Sequence, residues 1–238
     1  MGRSNPIRVL IVDDSALMRE LIRGILSSDP EIEVVGAVCD PLAARQKIKE
    51  CNPDVLTLDI EMPRMDGITF LDKIMTLRPM PVVMISSLTQ AGAEATLRAL
   101  EVGAVDFVAK PAINLQAGLE EKRAEIVAKV KAAANARVQR RTAMSPSEGK
   151  FTLRLAASYS STEKIVAIGA STGGVEAINR ILQSMPPDAP AILVTLHMPE
   201  NFTASFAKRL NAACAIQVVE ASDGERRLDE YVSHARAQ

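Results

Sequence analysis

The chain contains no tryptophan, and only two tyrosines and five phenylalanines occur among its 238 residues. With 47% hydrophobic residues, any core must therefore be built from aliphatic side chains and methionine. Cysteine is scarce as well. Cys39, Cys51 and Cys214 are unevenly spaced and match no metal-ligand pattern, so they read as small buried hydrophobes in a reducing compartment. There is no excess of either charge: 28 basic against 29 acidic residues leave a net −1. That balance points to no nucleic-acid or lipid partner. No apolar run has membrane-spanning length, and the opening MGRSNPIRVLIVDD enters a strand pattern without a signal peptide. The expectation is a cytoplasmic protein without membrane insertion.

What is present is alternation. Short apolar runs at Ile7–Val12, Val34–Val38, Val55–Leu58, Val82–Ile85 and Val105–Val108 are separated by helical stretches at Ala16–Leu26, Leu42–Glu50, Ile68–Leu77 and Ala93–Leu100. Such a rhythm predicts repeated βαβ units and a parallel sheet covered on both faces. A last helix, from near Leu119 to Val138, sets Leu119, Ile126, Val130 and Ala133 on one face. Residues 142–162 are rich in Ser, Thr and Ala and read as a linker, with FTLRL as a candidate short strand. A second α/β pattern follows, with strands at Ile165–Ile168, Ala191–Leu196 and Ile216–Val219 and helices at Val175–Leu182 and Thr203–Leu210.

Asp13 and Asp14 stand at the end of the first predicted strand, and Asp59 at the end of the third. In a doubly wound sheet these strand ends converge on one crevice. Clustered carboxylates repel unless a cation joins them, and a hard ion such as Mg²⁺ takes oxygen ligands. The other reading is three ordinary helix-capping aspartates. Ser86 closes the fourth strand and Lys110 follows the fifth, where a hydroxyl and an ammonium can hold the oxygens of an aspartyl phosphate. Pro111 after Lys110 fits a fixed turn, in either isomer.

The set VDDS, DIEMPRMDG, MISS and GAVDFVAKP resembles the receiver domain of two-component response regulators over about residues 5–125. The resemblance implies a flavodoxin-like doubly wound fold in which Asp59 accepts a phosphoryl group from a histidine kinase. It implies that Asp13, Asp14 and Asp59 hold Mg²⁺, with the backbone carbonyl of Glu61 as a further ligand. It assigns Ser86 as the switch hydroxyl, Lys110 as the phosphate contact and Phe107 as the aromatic switch, a place where core packing is the alternative.

In the second pattern, VAIGASTGG runs strand, turn, helix. Gly169, Ser171 and Gly173 fit the G-x-S-x-G spacing of a nucleophile elbow. The same glycines also suit a phosphate cradle at a helix N-terminus, and the loop by itself leaves both open. His197 follows AILVTL, 26 residues after Ser171, which is one βαβ step. A serine and a neutral imidazole at neighbouring strand ends make a nucleophile and its base, with an expected hydrogen-bond approach. His234 has no such context.

AIGASTGG, PAILVTLHMP and NFTASFAKRL resemble the catalytic domain of chemotaxis protein-glutamate methylesterases, a family that joins a receiver to this domain through a linker. The resemblance implies a receiver at 1–125, a helix extension and linker at 126–162, and a partial doubly wound parallel α/β catalytic domain at 163–238. It implies hydrolysis of glutamate γ-methyl esters, and deamidation of glutamines, on methyl-accepting chemoreceptors, with Ser171 as nucleophile and His197 as base. The family's third triad member is an aspartate in a glycine-rich segment further downstream. Asp223 and Asp229 do not match it. The likeness runs through VVEASDGERRL, and DEYVSHARAQ does not read as the next strand. The expectation is a C-terminally truncated domain with an unpaired sheet edge, no carboxylate on His197 and impaired hydrolysis. The alternative function is a phosphorylation-dependent binding module with an inactive output fragment.

Overall fold

The computed structural model describes residues 5–87, 89–110, 119–138, 165–222 and 231–235. Two compact units divide the chain, Met1–Thr142 and Ala143–Gln238. The linker 142–162 and Pro111 lie outside the described residues.

The first unit alternates β1 (Ile7–Val12), α1 (Ala16–Ser27), β2 (Ile32–Val38), α2 (Pro41–Cys51), β3 (Val55–Asp59), α3 (Gly67–Leu77), β4 (Val82–Ser86), α4 (Gln90–Val102), β5 (Asp106–Ala109) and α5 (Leu119–Ala134). Its strands form a parallel sheet in the order β2-β1-β3-β4-β5. Strand order reverses direction between β1 and β3, which places a crevice at their carboxyl ends. Local chemistry sets the helix starts. The Ser15 hydroxyl accepts from the Met18 N–H at 3.3 Å, and Asp40 accepts from the Leu42 and Ala43 N–H groups ahead of Pro41.

Because strand side chains alternate, Val9 and Ile11 pack with α1 and α5 through Ile22, Leu26, Ile126 and Val130. Leu10 and Val12 are equally buried and face the other way. Each such aliphatic side chain contributes about 1.5–3 kcal/mol when fully buried. Burial of Ile126, Val130 and Ala133 attaches α5 to this unit, so a division at residue 125 falls inside a packed helix. The side chain of Leu119 is outside the described set. The three thiols are free, but they are less covered than expected: Cys39 is exposed, and Cys51 and Cys214 are only partly buried.

The second unit contains β6 (Ile165–Ala170), α6 (Gly174–Gln183), β7 (Ala191–Leu196), α7 (Glu200–Ala213), β8 (Gln217–Glu220) and β9 (Tyr231–Ala235). All its strand pairs are parallel, in the order β6-β7-β9-β8. On β7, Ile192, Val194 and Leu196 are buried, while Thr195 is exposed. Ile178 and Leu182 of α6, with Phe202, Phe206 and Leu210 of α7, are buried alongside. One expectation is corrected here. DEYVSHARAQ does contain a strand, since Tyr231–Ala235 pairs with β7 on one side and β8 on the other. A mixed sequence such as YVSHA carries little strand signal alone, and its two neighbours supply the pairing.

Candidate functional site

At the carboxyl edge of the first sheet, β3 ends in Asp59, β4 ends in Ser86, and Asp13 and Lys110 follow β1 and β5. Register brings them together: Asp59 pairs with Ile85, Ser86 pairs with Ala109, and the Lys110 N–H donates to the Ser86 carbonyl at 2.7 Å. The Lys110 ammonium straddles Asp59, 2.9 Å from each carboxylate oxygen. Asp59 and Asp13 have no exposed surface, whereas Asp14 is exposed. Carboxylate oxygens of Asp13, Asp14 and Asp59 lie within 4.8 Å of one another. The Ser15 N–H donates to Asp13 Oδ1 at 2.9 Å, but Oδ2 is buried with no hydrogen-bond partner among the described residues. An orphaned buried oxygen beside two further carboxylates fits a hard divalent cation. Glu61 is adjacent: its N–H donates to Asp59 Oδ1 at 3.3 Å and its side chain accepts from the Ser87 hydroxyl at 3.2 Å.

Electrostatics follow from this crowding. Burial, and then the Asp59 charge, push the Asp13 carboxyl up to about 6. Burial also raises Asp59, against the opposing hydrogen bond and charge of Lys110. Burial pulls the Lys110 ammonium down, but its hydrogen bond and attraction to Asp59 outweigh this and leave it raised. The edge therefore carries more negative charge than one lysine compensates. Backbone shape maintains the close approach. A Cβ on Gly67 would stand 2.0 Å from the Asp59 carbonyl oxygen, so the MDG turn needs glycine there. Arg64, in the same loop, has a left-handed φ of 70°.

Ser86 and Phe107 lie in buried polar settings that the motifs alone do not reveal. Ser86 Oγ is 2.6 Å from Thr96 Oγ1, 3.3 Å from the Gly92 carbonyl and 3.2 Å from the Ser87 carbonyl. Phe107 is 2% exposed, and the Lys129 ammonium sits 4.9 Å from its ring centroid while donating to its carbonyl at 2.7 Å. Lys129, itself buried, also pairs with Glu125 at 3.2 Å and Asp106 at 3.4 Å. A signal for both partners was present. Thr96 interrupts the inward face Ala93, Leu97, Leu100, and Lys129 interrupts Ile126, Val130, Ala133. A polar residue at helical spacing inside an apolar stripe has to find a buried partner.

In the second unit, Ala170 pairs with Leu196 at the ends of β6 and β7, so Ser171 and His197 are the next residue on each strand. The His197 N–H donates to the Ala170 carbonyl at 3.1 Å, tying the two strand ends together. Both residues are exposed. The turn is less strained than an elbow of the hydrolase type. Ser171 does not have a positive φ, and Gly173, at φ 73°, takes the left-handed position. The Gly174 N–H closes the turn on the Ser171 carbonyl at 2.7 Å. Gly174 has no room for a side chain, because a Cβ would meet Ala170 at 2.7 Å and Leu196 at 2.8 Å. No side chain caps α6, and apart from the Gly174 N–H, which the turn uses, its first turn leaves the Val175 and Glu176 N–H groups for a developing oxyanion. Among the described residues no carboxylate is hydrogen-bonded to the His197 ring. Asp223 and Asp229 lie outside them.

Comparison with known proteins agrees with this two-part arrangement. The response regulator receiver domain family matches residues 9–120, and the CheB methylesterase family matches residues 166–237. The second match runs through the β9 strand, which corrects the expectation that the likeness ends near residue 228. A protein-glutamate methylesterase/protein-glutamine glutaminase of Bordetella parapertussis is 57% identical over 226 residues, covering 95% of this chain and 64% of its own length. One of the same description from Thiobacillus denitrificans is 55% identical over 224 residues, covering 93% and 63%. The crystal structure of the response regulator domain of Thermotoga maritima CheB superposes with a TM-score of 0.51 at 44% identity, covering 56% of this chain and 99% of that one. The chain thus spans just under two thirds of the length of the curated relatives it matches, and within that span it carries a response regulator receiver domain followed by a CheB methylesterase domain.

Proposed function

We propose that this chain is a phosphorylation-controlled protein-glutamate methylesterase of the chemotaxis system, working in the cytoplasm. In this reading a histidine kinase phosphorylates Asp59, and that event raises the activity of the second unit toward methyl-accepting chemoreceptors. The observation that carries the reading is the register of β6 and β7, which makes Ser171 and His197 neighbours at one sheet edge.

On the receiver side, Asp59 attacks the donor phosphorus, and the bond to the donor's leaving group breaks. Lys110 then faces the phosphoryl oxygens from the position it occupies 2.9 Å from the carboxylate. Asp13, Asp14, Asp59 and the Glu61 carbonyl would hold Mg²⁺, which when bound supplies positive charge that offsets the crowded carboxylates. Ser86 supplies a hydroxyl to the phosphoryl group, and Phe107 reports the change from β5. On the esterase side, Ser171 Oγ attacks the γ-carbonyl carbon while His197 takes the hydroxyl proton. The Val175 and Glu176 N–H groups in the first turn of α6 face the oxyanion. The carbon–methoxy bond breaks, methanol leaves with the proton from His197, and water cleaves the resulting acyl-serine to the glutamate. A primary amide follows the same path with ammonia as leaving group.

Among the described residues the His197 ring has no carboxylate partner, and an imidazole without one is not held in one tautomer, a loss worth on the order of 10⁴ in rate for serine proteases. That observation favours a second reading, a phospho-receiver binding module whose output unit hydrolyses little. Methanol release from methylated receptor membranes separates the two, with a longer relative as the positive control. Release that Ser171→Ala abolishes supports the enzyme. Release no different between the chain and Ser171→Ala, at background level, leaves only the binding module.

A further inference from the structure

We infer that Thr96 is a positioning residue for the receiver's phosphoryl site: it holds the Ser86 hydroxyl on the α4 side of the sheet and so competes with an incoming phosphoryl group for that hydroxyl. The inference rests on the receiver reading above and adds a residue that no motif assigns.

Three observations converge. The two hydroxyl oxygens are 2.6 Å apart, and both side chains are buried, Ser86 at 1% and Thr96 at 0% exposure. The remaining contacts of the Ser86 hydroxyl, the carbonyls of Ser87 and Gly92 at 3.2 and 3.3 Å, are long for O–H···O bonds. Thr96 is the short partner, and it also contacts the Gly92 carbonyl at 2.7 Å. Thr96 has one proton and two close neighbours. When that proton goes to Gly92, Ser86 donates to Thr96; when it goes to Ser86, the hydroxyl of Ser86 is left with only the two long carbonyl contacts. Either way the strand-end hydroxyl is tied to α4.

Ser86 stands one residue beyond Ile85, the register partner of Asp59. To donate to a phosphoryl group on Asp59, its hydroxyl must leave Thr96. The exchange is asymmetric. After it, Thr96 retains Gly92 as partner, so no buried group is orphaned, while α4 loses its only short hydrogen bond to Ser86 among the described residues. Occupancy at Asp59 and the attachment of α4 to β4 are therefore alternatives for one hydroxyl.

The test uses the full chain, with Mg²⁺ alone and Mg²⁺ plus beryllium fluoride as probes, titrated calorimetrically. Thr96→Val keeps the branched shape and removes the hydroxyl. Loss of one neutral hydrogen bond from the empty state should raise beryllium fluoride affinity about two- to tenfold. Affinity for Mg²⁺ alone should not change, because Thr96 touches no carboxylate. Thr96→Ser should restore the parent affinity. In a Ser86→Ala background, Thr96→Val should bring no gain, which a merely structural effect would not predict. Equal or weaker beryllium fluoride binding by Thr96→Val, or the same gain in the Ser86→Ala background, overturns the inference while leaving the receiver reading intact. Failure of the parent chain to bind either probe overturns both.

Discussion

Asp13→Asn tests the electrostatic account of the receiver edge most directly. Asp13 is fully buried, one of its oxygens has no partner among the described residues, and its carboxyl is raised from an ordinary 3.8 to about 6. A raised acid binds its proton more tightly in the folded state, so stability grows as pH falls from about 6 toward 3.8 and the penalty is complete above about 6. From those two values, ionised Asp13 costs folding about 3 kcal/mol at pH 7.5 and about half of that at pH 5. An asparagine keeps an oxygen for the Ser15 N–H and offers its amide to the neighbouring carboxylates. The variant should therefore be more stable than the parent in EDTA at pH 7.5, with a gain of up to about 3 kcal/mol that shrinks at pH 5. With Mg²⁺ at about a hundredfold over its dissociation constant, the parent should gain about 2.7 kcal/mol. The variant should gain far less. Hydrogen exchange of the slowest amides in β1 and β3 reads this unit separately from the second. A variant less stable than the parent in EDTA, or a gain that does not fall between pH 7.5 and pH 5, would refute the reasoning.

The same geometry leads to further expected outcomes. A small phosphodonor with Mg²⁺ should form a base-labile acyl phosphate on Asp59; undiminished labelling of Asp59→Asn would remove that assignment. Gly67→Ala should cost several kcal/mol and displace Asp59, because a Cβ 2.0 Å from its carbonyl oxygen cannot be accommodated without backbone movement; unchanged denaturation and unchanged phosphorylation would contradict so close an approach of the turn to β3. Lys129→Met should destabilise the first unit by about 3–5 kcal/mol, since Asp106 and Glu125 lose their buried cation; a urea midpoint equal to the parent's would show that the network contributes nothing.

What the sequence determined by itself was everything carried by period and by strand ends. Alternating apolar runs and amphipathic stretches imposed βαβ units, and the rules of parallel sheets then put Asp13, Asp59, Ser86 and Lys110 at one edge and Ser171 and His197 at another. The GASTGG turn was legible as well, because glycine takes the left-handed φ of Gly173 at the lowest cost and only glycine fits the tight packing at Gly174. Tertiary structure decided the rest. Strand β9 is held by its two neighbours rather than by its own pattern, so YVSHA has the look of a tail until β7 and β8 flank it. Thr96 and Lys129 were visible as polar breaks in apolar faces. Which groups they meet was not, because a buried hydroxyl or ammonium takes its partner from an element distant in sequence. Ten residues separate Thr96 from Ser86 and 22 separate Lys129 from Phe107. The raised carboxyl of Asp13 has the same origin: burial and the approach of Asp59 from another strand exist only once the sheet has formed.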